Sequence, residues 1–195
     1  MPGITNQAWP DELLAALSEQ LAVAGARSEL VVVGGAGLLA LGIIDRPTRD
    51  VDVLALRVGG ELVKAEPLPS ELVAARDRVS RDFGVLETWL NAGPSSLLDF
   101  GLPEGFVARL KTRAYGDALT VHFASRLDQI HFKLYAVIDQ GPGKHESDLR
   151  ALNPTPDELV RAARWTRTHD PSPGFKYLLD LTLSRLGIAD ADLGG

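Results

Sequence analysis

The sequence predicts a mixed α/β (α+β) core followed by a helical C-terminal part. An apolar, β-branched segment at residues 29–33 runs into a glycine pair, a short helical pattern follows at 36–43, and a second β-branched segment lies at 50–56. The last third of the chain shows helical periodicity that Gly and Pro residues interrupt. We therefore expect an α/β core over residues 1–124 and helices packed on it over residues 125–195.

The other elements follow from local patterns. Apolar residues at helical spacing predict helices over 11–24 and 69–81, and alternating residues on either side of a Gly-Asp turn predict a hairpin over 105–124. The segment 84–92 fits either type. Ser125 followed by an aspartate three residues later is typical of a helix start. Helices are predicted in the C-terminal part at about 125–138, 145–152, 154–169 and 174–187.

Composition and charge exclude several classes of protein. The 195-residue chain has no cysteine, which excludes disulfides, thiolate zinc sites and cysteine nucleophiles. Its net charge of −6 argues against a general nucleic-acid coat or a membrane-surface protein, although a locally basic groove is compatible with it. No apolar run reaches the roughly 18 residues of a membrane span, and Asp11 and Glu12 stand where a signal peptide would be basic. We expect a cytoplasmic protein with no membrane partner.

Two aspartates on one predicted strand are the strongest sign of chemistry. Asp50 and Asp52 are two residues apart, so they point to the same face of an otherwise apolar segment. Like charges placed together on a buried strand repel each other and lose hydration, and a divalent cation removes both costs. The pair therefore indicates a Mg²⁺ (or Mn²⁺) site. The alternative is a solvated edge strand, or carboxylates paired with Arg46 and Arg49.

The glycine pair Gly34-Gly35 lies between a predicted strand and a predicted helix. Glycine lets the backbone approach a ligand closely, which suits a phosphate cradle. A tight turn needed only for packing is the alternative, and the GxxxxGK[ST] pattern of a P-loop is absent. Arg46 and Thr48 are expected to shape the entry to the second strand, and Arg46 is also a candidate for contacting a carboxylate or a phosphate.

Basic residues mark two further candidates. Lys133 lies in an apolar helix, where a buried ammonium needs an anionic partner unless the side chain reaches the surface. Arg109, Lys111 and Arg113 alternate on the predicted hairpin and would share one face. Such a face suits a nucleic-acid backbone, but a solvated hairpin face fits the same pattern.

Taken together, these motifs resemble a known pattern. The glycine pair, a short helix and Arg46-x-Thr48-x-Asp50-Val51-Asp52 resemble the signature of the DNA polymerase β-type nucleotidyltransferase superfamily. The later KLxA run at 133–136, and the segment from Lys144 to Asp148-Leu149, are similar to the AbiEii/Men-type toxin nucleotidyltransferases and the related DUF6036 group. His145 stands where these families often carry an aspartate. The resemblance spans roughly residues 25–170.

The resemblance implies a polymerase β-like core sheet and a set of residue roles. Asp50 and Asp52 would hold magnesium, and Asp148 would complete the catalytic set with Lys133. The nucleoside triphosphate would be bound by the following residues: Gly34, Gly35, Arg46, Thr48 and Lys133.

The implied activity is transfer of a nucleoside monophosphate from an NTP to an acceptor. By the same resemblance the acceptor is the tRNA 3′ end, and the protein is the toxin of a toxin–antitoxin pair with a cognate antitoxin as partner. The alternatives are a nucleotidyltransferase acting on a protein or a small molecule, and a catalytically inactive binding or antitoxin-like module on the same fold.

Overall fold

The computed structural model describes residues 10–188, and there it contains a mixed six-stranded sheet flanked by helices. The predicted α+β fold class is thereby confirmed. The strands are β1 Ser28–Val33, β2 Val51–Val58, β3 Glu61–Lys64, β4 Leu90–Asn91, β5 Lys111–Tyr115 and β6 Leu119–Phe123. The helices are α1 Pro10–Val23, α2 Gly34–Ala40, α3 Ser70–Phe83, α4 Phe106–Arg109, α5 Arg126–Gln140, α6 Lys144–Ala151, α7 Pro156–His169 and α8 Pro173–Arg185, with 3₁₀ helices at Glu87–Trp89 and Gly93–Phe100.

The strand order β3-β2-β1-β6-β5 places β1 at the centre of the sheet. β1 pairs antiparallel with β2 and parallel with β6, while β4 runs parallel to the beginning of β2. Because β1 and β2 are antiparallel, the end of β1 lies beside the beginning of β2, and Val33 is opposite Asp52. This register brings the residue after β1, Gly34, next to the acidic strand.

Helices cover both faces of the sheet. On one face, leucines of α1 and α3 pack against β1 and β2, with Trp89 among the fully buried side chains. On the other face, Phe132 of α5 joins the cluster of Val31, Val33 and Leu54. The opposite side of α5 forms a separate apolar core with α6, α7 and α8. Helix α5 thus joins the C-terminal helices to the sheet.

The structure differs from the predicted elements mainly around the hairpin. Residues Phe106–Arg109 form a helical turn, so the strand expected from residue 105 begins at Lys111 instead. Helix α2 begins at Gly34 itself, two residues earlier than expected. The predicted cap is confirmed, since the Ser125 hydroxyl accepts a hydrogen bond from the Asp128 N–H at the start of α5. None of the helices between residues 10 and 188 is both long and apolar enough to cross a membrane.

Candidate active site

A cavity of about 430 Å³ lies where β1 and β2 meet α5. Gly34 and Asp52 form one end of the cavity, and the side chain of Lys133 on α5 also lines it. The 3₁₀ helix at Gly93–Phe100 and the first turn of α6 form its sides. Three residues predicted from widely separated parts of the sequence therefore surround one space.

Both glycines of the pair are required by close side-chain contacts. Gly34 has φ of +71°, and a Cβ atom there would clash with Oδ2 of Asp52. A Cβ atom on Gly35 would lie 2.7 Å from Oγ1 of Thr48, which is too close for two non-bonded atoms. The glycines thus let Asp52 and Thr48 pack directly against the backbone.

The backbone N–H of Gly34 is already bound within the protein. It donates a hydrogen bond to Oε1 of Gln129 at 3.2 Å. Gln129 is fully buried, and its Nε2 atom lies against Gly37 without a hydrogen-bond partner among residues 10–188. Gln129 was not among the residues predicted from the sequence, because its contact with Gly34 depends on how α5 packs against α2.

Asp52 is held in a setting that disfavours its charge. Burial raises the pKa of its carboxyl group, and the nearby charge of Asp50 acts in the same direction. The Nδ2 atom of Asn91 on β4 opposes this by donating a hydrogen bond to Oδ1 of Asp52 at 3.1 Å, and the charges of Lys133 and Lys144 oppose it further. The pKa of Asp52 remains above its ordinary value, so a bound cation would stabilise the ionised form.

The donors available for a metal are few. Asp50 is exposed just before β2 and does not line the cavity. No cluster of three or more His, Asp or Glu side chains within residues 10–188 is arranged to hold a metal ion, and Asn91 occupies the position beside Asp52 on the adjacent strand. Two carboxylates together with substrate phosphates are nevertheless a donor set that Mg²⁺ accepts. Of the two aspartates, Asp52 lines the cavity and is placed to serve as a magnesium ligand there, with phosphate oxygens as further ligands.

Asp148 is bound to two cations behind the cavity. Its Oδ2 atom lies 2.7 Å from Nζ of Lys133, and its Oδ1 atom lies 2.5 Å from the guanidinium of Arg46. Burial by itself raises the pKa of Asp148, but the hydrogen bonds from Lys133 and Arg46 outweigh that effect and leave the pKa below its ordinary value. Because Asp148 is outside the cavity lining, the geometry gives it a positioning role through Lys133 and Arg46.

Lys144 and His145 also line the cavity, beside Lys133. Burial lowers the pKa of His145, and the charges of Lys133 and Lys144 lower it further, so its imidazole is neutral near pH 7. Its Nε2 atom lies 3.1 Å from Oε1 of Gln140. The sequence indicated these two residues only through their place in the resemblance, beside Asp148.

The three basic residues of the hairpin region do not form one face. Arg109 lies in α4 and pairs with the fully buried Asp128 at 2.5 Å, whereas Lys111 and Arg113 lie on β5. Arg113 is bound to Asp11 of α1 at 2.9 Å. The predicted shared strand face is therefore wrong for Arg109, because the chain makes a helical turn before β5 begins. None of the three residues lines the cavity.

Comparison with known proteins adds no further constraint. No family model, curated protein or solved structure matches this chain. The resemblance to nucleotidyltransferases therefore depends on the motifs quoted above and remains a prediction.

Proposed function

We propose that the protein is a Mg²⁺-dependent nucleotidyltransferase that moves a nucleoside monophosphate from an NTP to an acceptor. The observation that carries the proposal is the shared cavity of Asp52 and Lys133, which come from β2 and α5 and lie 81 positions apart in sequence. A carboxylate suited to magnesium and an ammonium suited to phosphate, placed around one space, match a metal-bound triphosphate.

Each residue of the site would have a separate role. Lys133 would contact the triphosphate, and Asp148 would hold its ammonium group in place. Asp50 and Asp52 would hold magnesium, which would supply positive charge to offset the charge that develops on the phosphates. The hydroxyl oxygen of the acceptor would attack the α-phosphorus, pyrophosphate would leave, and an aspartate of the site would take up the hydroxyl proton.

The acceptor proposed from the resemblance is the tRNA 3′ end, in a toxin with a cognate antitoxin. The ion pairs of Arg109 and Arg113 give less support to a broad basic groove than the sequence did. They favour, as a second candidate, a protein or a small molecule as acceptor. A third candidate is an inactive nucleotide-binding or antitoxin-like module, which the amide of Asn91 beside Asp52 favours, because a third carboxylate is absent there.

The decisive experiment is a transfer assay with each labelled NTP, Mg²⁺ or Mn²⁺, and total tRNA, protein extract or small-molecule extract as acceptor. Asp52→Asn is the test variant, and Asp117→Asn, which removes an exposed carboxylate from a hairpin turn, is the matched control. Transfer that is lost in Asp52→Asn and kept in Asp117→Asn supports the proposal. Binding of NTP without transfer supports the inactive module, and absence of both rejects nucleotide chemistry at this site.

A further inference from the structure

Helix α5 presents two different flanks to the cavity. At about 100° per residue, Lys133 and Tyr135 lie roughly 160° apart around the helix axis. Both line the cavity, and Ala136 lines it between them. The small side chain of Ala136 leaves room between a cationic flank at Lys133 and an aromatic flank at Tyr135.

The aromatic flank is continued by a second ring. Phe100, at the end of the 3₁₀ helix Gly93–Phe100, lines the cavity although 60% of it is exposed. The rings of Phe100 and Tyr135 both contact His169, with centroid distances of 5.5 Å and 5.4 Å. Trp165 packs behind His169 at 4.2 Å. The cavity is thus bordered by a wall of rings that is supported from behind and open towards the cavity.

The opposite flank is positive. Lys144, at the start of α6, lies close enough to Asp52 for its charge to act on that carboxyl group, and Lys133 does the same from α5. Lys133 and Lys144 suit an anionic part of a ligand, and the rings of Phe100 and Tyr135 suit a flat apolar part. The exposed carboxylate of Asp139 also lines the cavity near Tyr135, so the charged part of an anionic ligand is expected at the lysines and away from that flank.

We propose that Phe100 and Tyr135 form the wall against which the base of the nucleoside triphosphate stacks, while its phosphates lie at Asp52 and Lys133. This inference rests on the proposed function and adds the residues that bind the nucleoside. Base–aromatic stacking tolerates every base, because each base has a π-face. The wall would therefore make the protein bind a nucleotide more tightly than a phosphate compound that has no base. It would not by itself select one base.

The test is calorimetric titration of the full chain with Mg²⁺·ATP and, separately, with Mg²⁺·tripolyphosphate, which lacks the nucleoside. The test variant is Phe100→Ala, whose exposed ring can be removed without emptying the core. Phe100→Trp retains a stacking surface, and Tyr177→Ala removes an aromatic side chain that is 68% exposed on α8. Tyr177 is outside the cavity lining, which makes it the matched control.

We expect Phe100→Ala to weaken ATP binding by roughly fivefold to 100-fold and to leave tripolyphosphate binding unchanged. Phe100→Trp and Tyr177→Ala should bind both ligands as the wild type does. If the wild type and Phe100→Ala bind ATP with equal affinity, the proposed stacking of the base on Phe100 is wrong. The proposed phosphate site is not affected by that result. If the wild type binds neither ligand, the proposed function fails, and the wall fails with it.

Discussion

Lys133 and Asp148 form a buried ion pair between α5 and α6, with 2.7 Å between Nζ and Oδ2 and side chains that are 7% and 2% exposed. The same carboxylate binds Arg46, in the segment that leads into Asp50. One aspartate thus connects Lys133, the residue proposed to contact phosphate, with helix α6 and the entry to the acidic strand. These two ion pairs explain how Asp148 affects the cavity although it does not line it.

Asp148→Asn is expected to destabilise the fold. The substitution leaves the buried Lys133 without an anionic partner, and breaking such a pair costs about 3–5 kcal/mol. The control is Asp180→Asn, which breaks the exposed pair between Lys176 and Asp180 and should cost at most about 1 kcal/mol. Urea unfolding at pH 7 measures both. Equal changes in the two variants would show that the pair of Lys133 and Asp148 contributes little.

The stability contributed by Asp148 should also depend on pH. Because its pKa is lowered in the folded protein, the contribution is fully present above the pKa of the unfolded chain and is lost as the pH falls through the folded value. The difference in unfolding free energy between the wild type and Asp148→Asn should therefore shrink as the pH is lowered. Unfolding free energies of the two proteins between pH 7 and acidic pH test this, and a constant difference contradicts it.

Asp52→Asn is expected to stabilise the protein while strongly reducing the proposed transfer activity. Since burial raises the pKa of Asp52 in the folded state, ionised Asp52 costs stability, and this cost grows as the pH rises from the unfolded to the folded pKa. The amide removes the cost and can still accept the hydrogen bond from Asn91. It also removes a metal ligand, for which we expect a loss of roughly 100-fold or more in transfer.

The control for Asp52→Asn is Asp50→Asn. Asp50 is exposed, so its replacement should change the unfolding free energy by no more than about 0.5 kcal/mol, although it too removes a proposed metal ligand. Thermal unfolding at neutral pH and the transfer assay separate the two effects. Destabilisation by Asp52→Asn would mean that the carboxylate contributes to the fold in its charged form.

The sequence identified Gly34, Asp52 and Lys133 as candidate site residues, and the antiparallel pairing of β1 with β2 is what brings Gly34 and Asp52 together. For Lys133 the sequence left open an anionic partner or the surface, and in the structure Asp148 is that partner. The contacts of Asn91 and Gln129 were not predictable. One depends on a two-residue strand pairing with β2, and the other on the rotation of α5 over α2. Neither is set by local sequence periodicity.

Gly34→Ala should impair the site more than the fold. Both Gly34 and Gly25 have positive φ, so alanine costs about 1–2 kcal/mol at either position. Gly25 has open space around it, whereas a Cβ atom on Gly34 would displace the carboxylate of Asp52. We therefore expect Gly34→Ala to lower transfer activity by roughly 100-fold, and Gly25→Ala to leave it unchanged. Similar activities in the two variants would contradict the close contact.

Arg109 is expected to be a structural residue with no role in nucleic-acid binding. Arg109→Ala leaves the fully buried Asp128 with the Ser125 hydroxyl as a partner but without its cation, and we expect a loss of about 2 kcal/mol in unfolding free energy. Lys111 is exposed on β5, so Lys111→Ala should leave stability unchanged.

Charge reversal in Lys111→Glu should likewise leave tRNA affinity unchanged in a filter-binding titration at fixed salt. A clear loss of affinity in Lys111→Glu would restore the predicted basic face around β5 as a nucleic-acid contact.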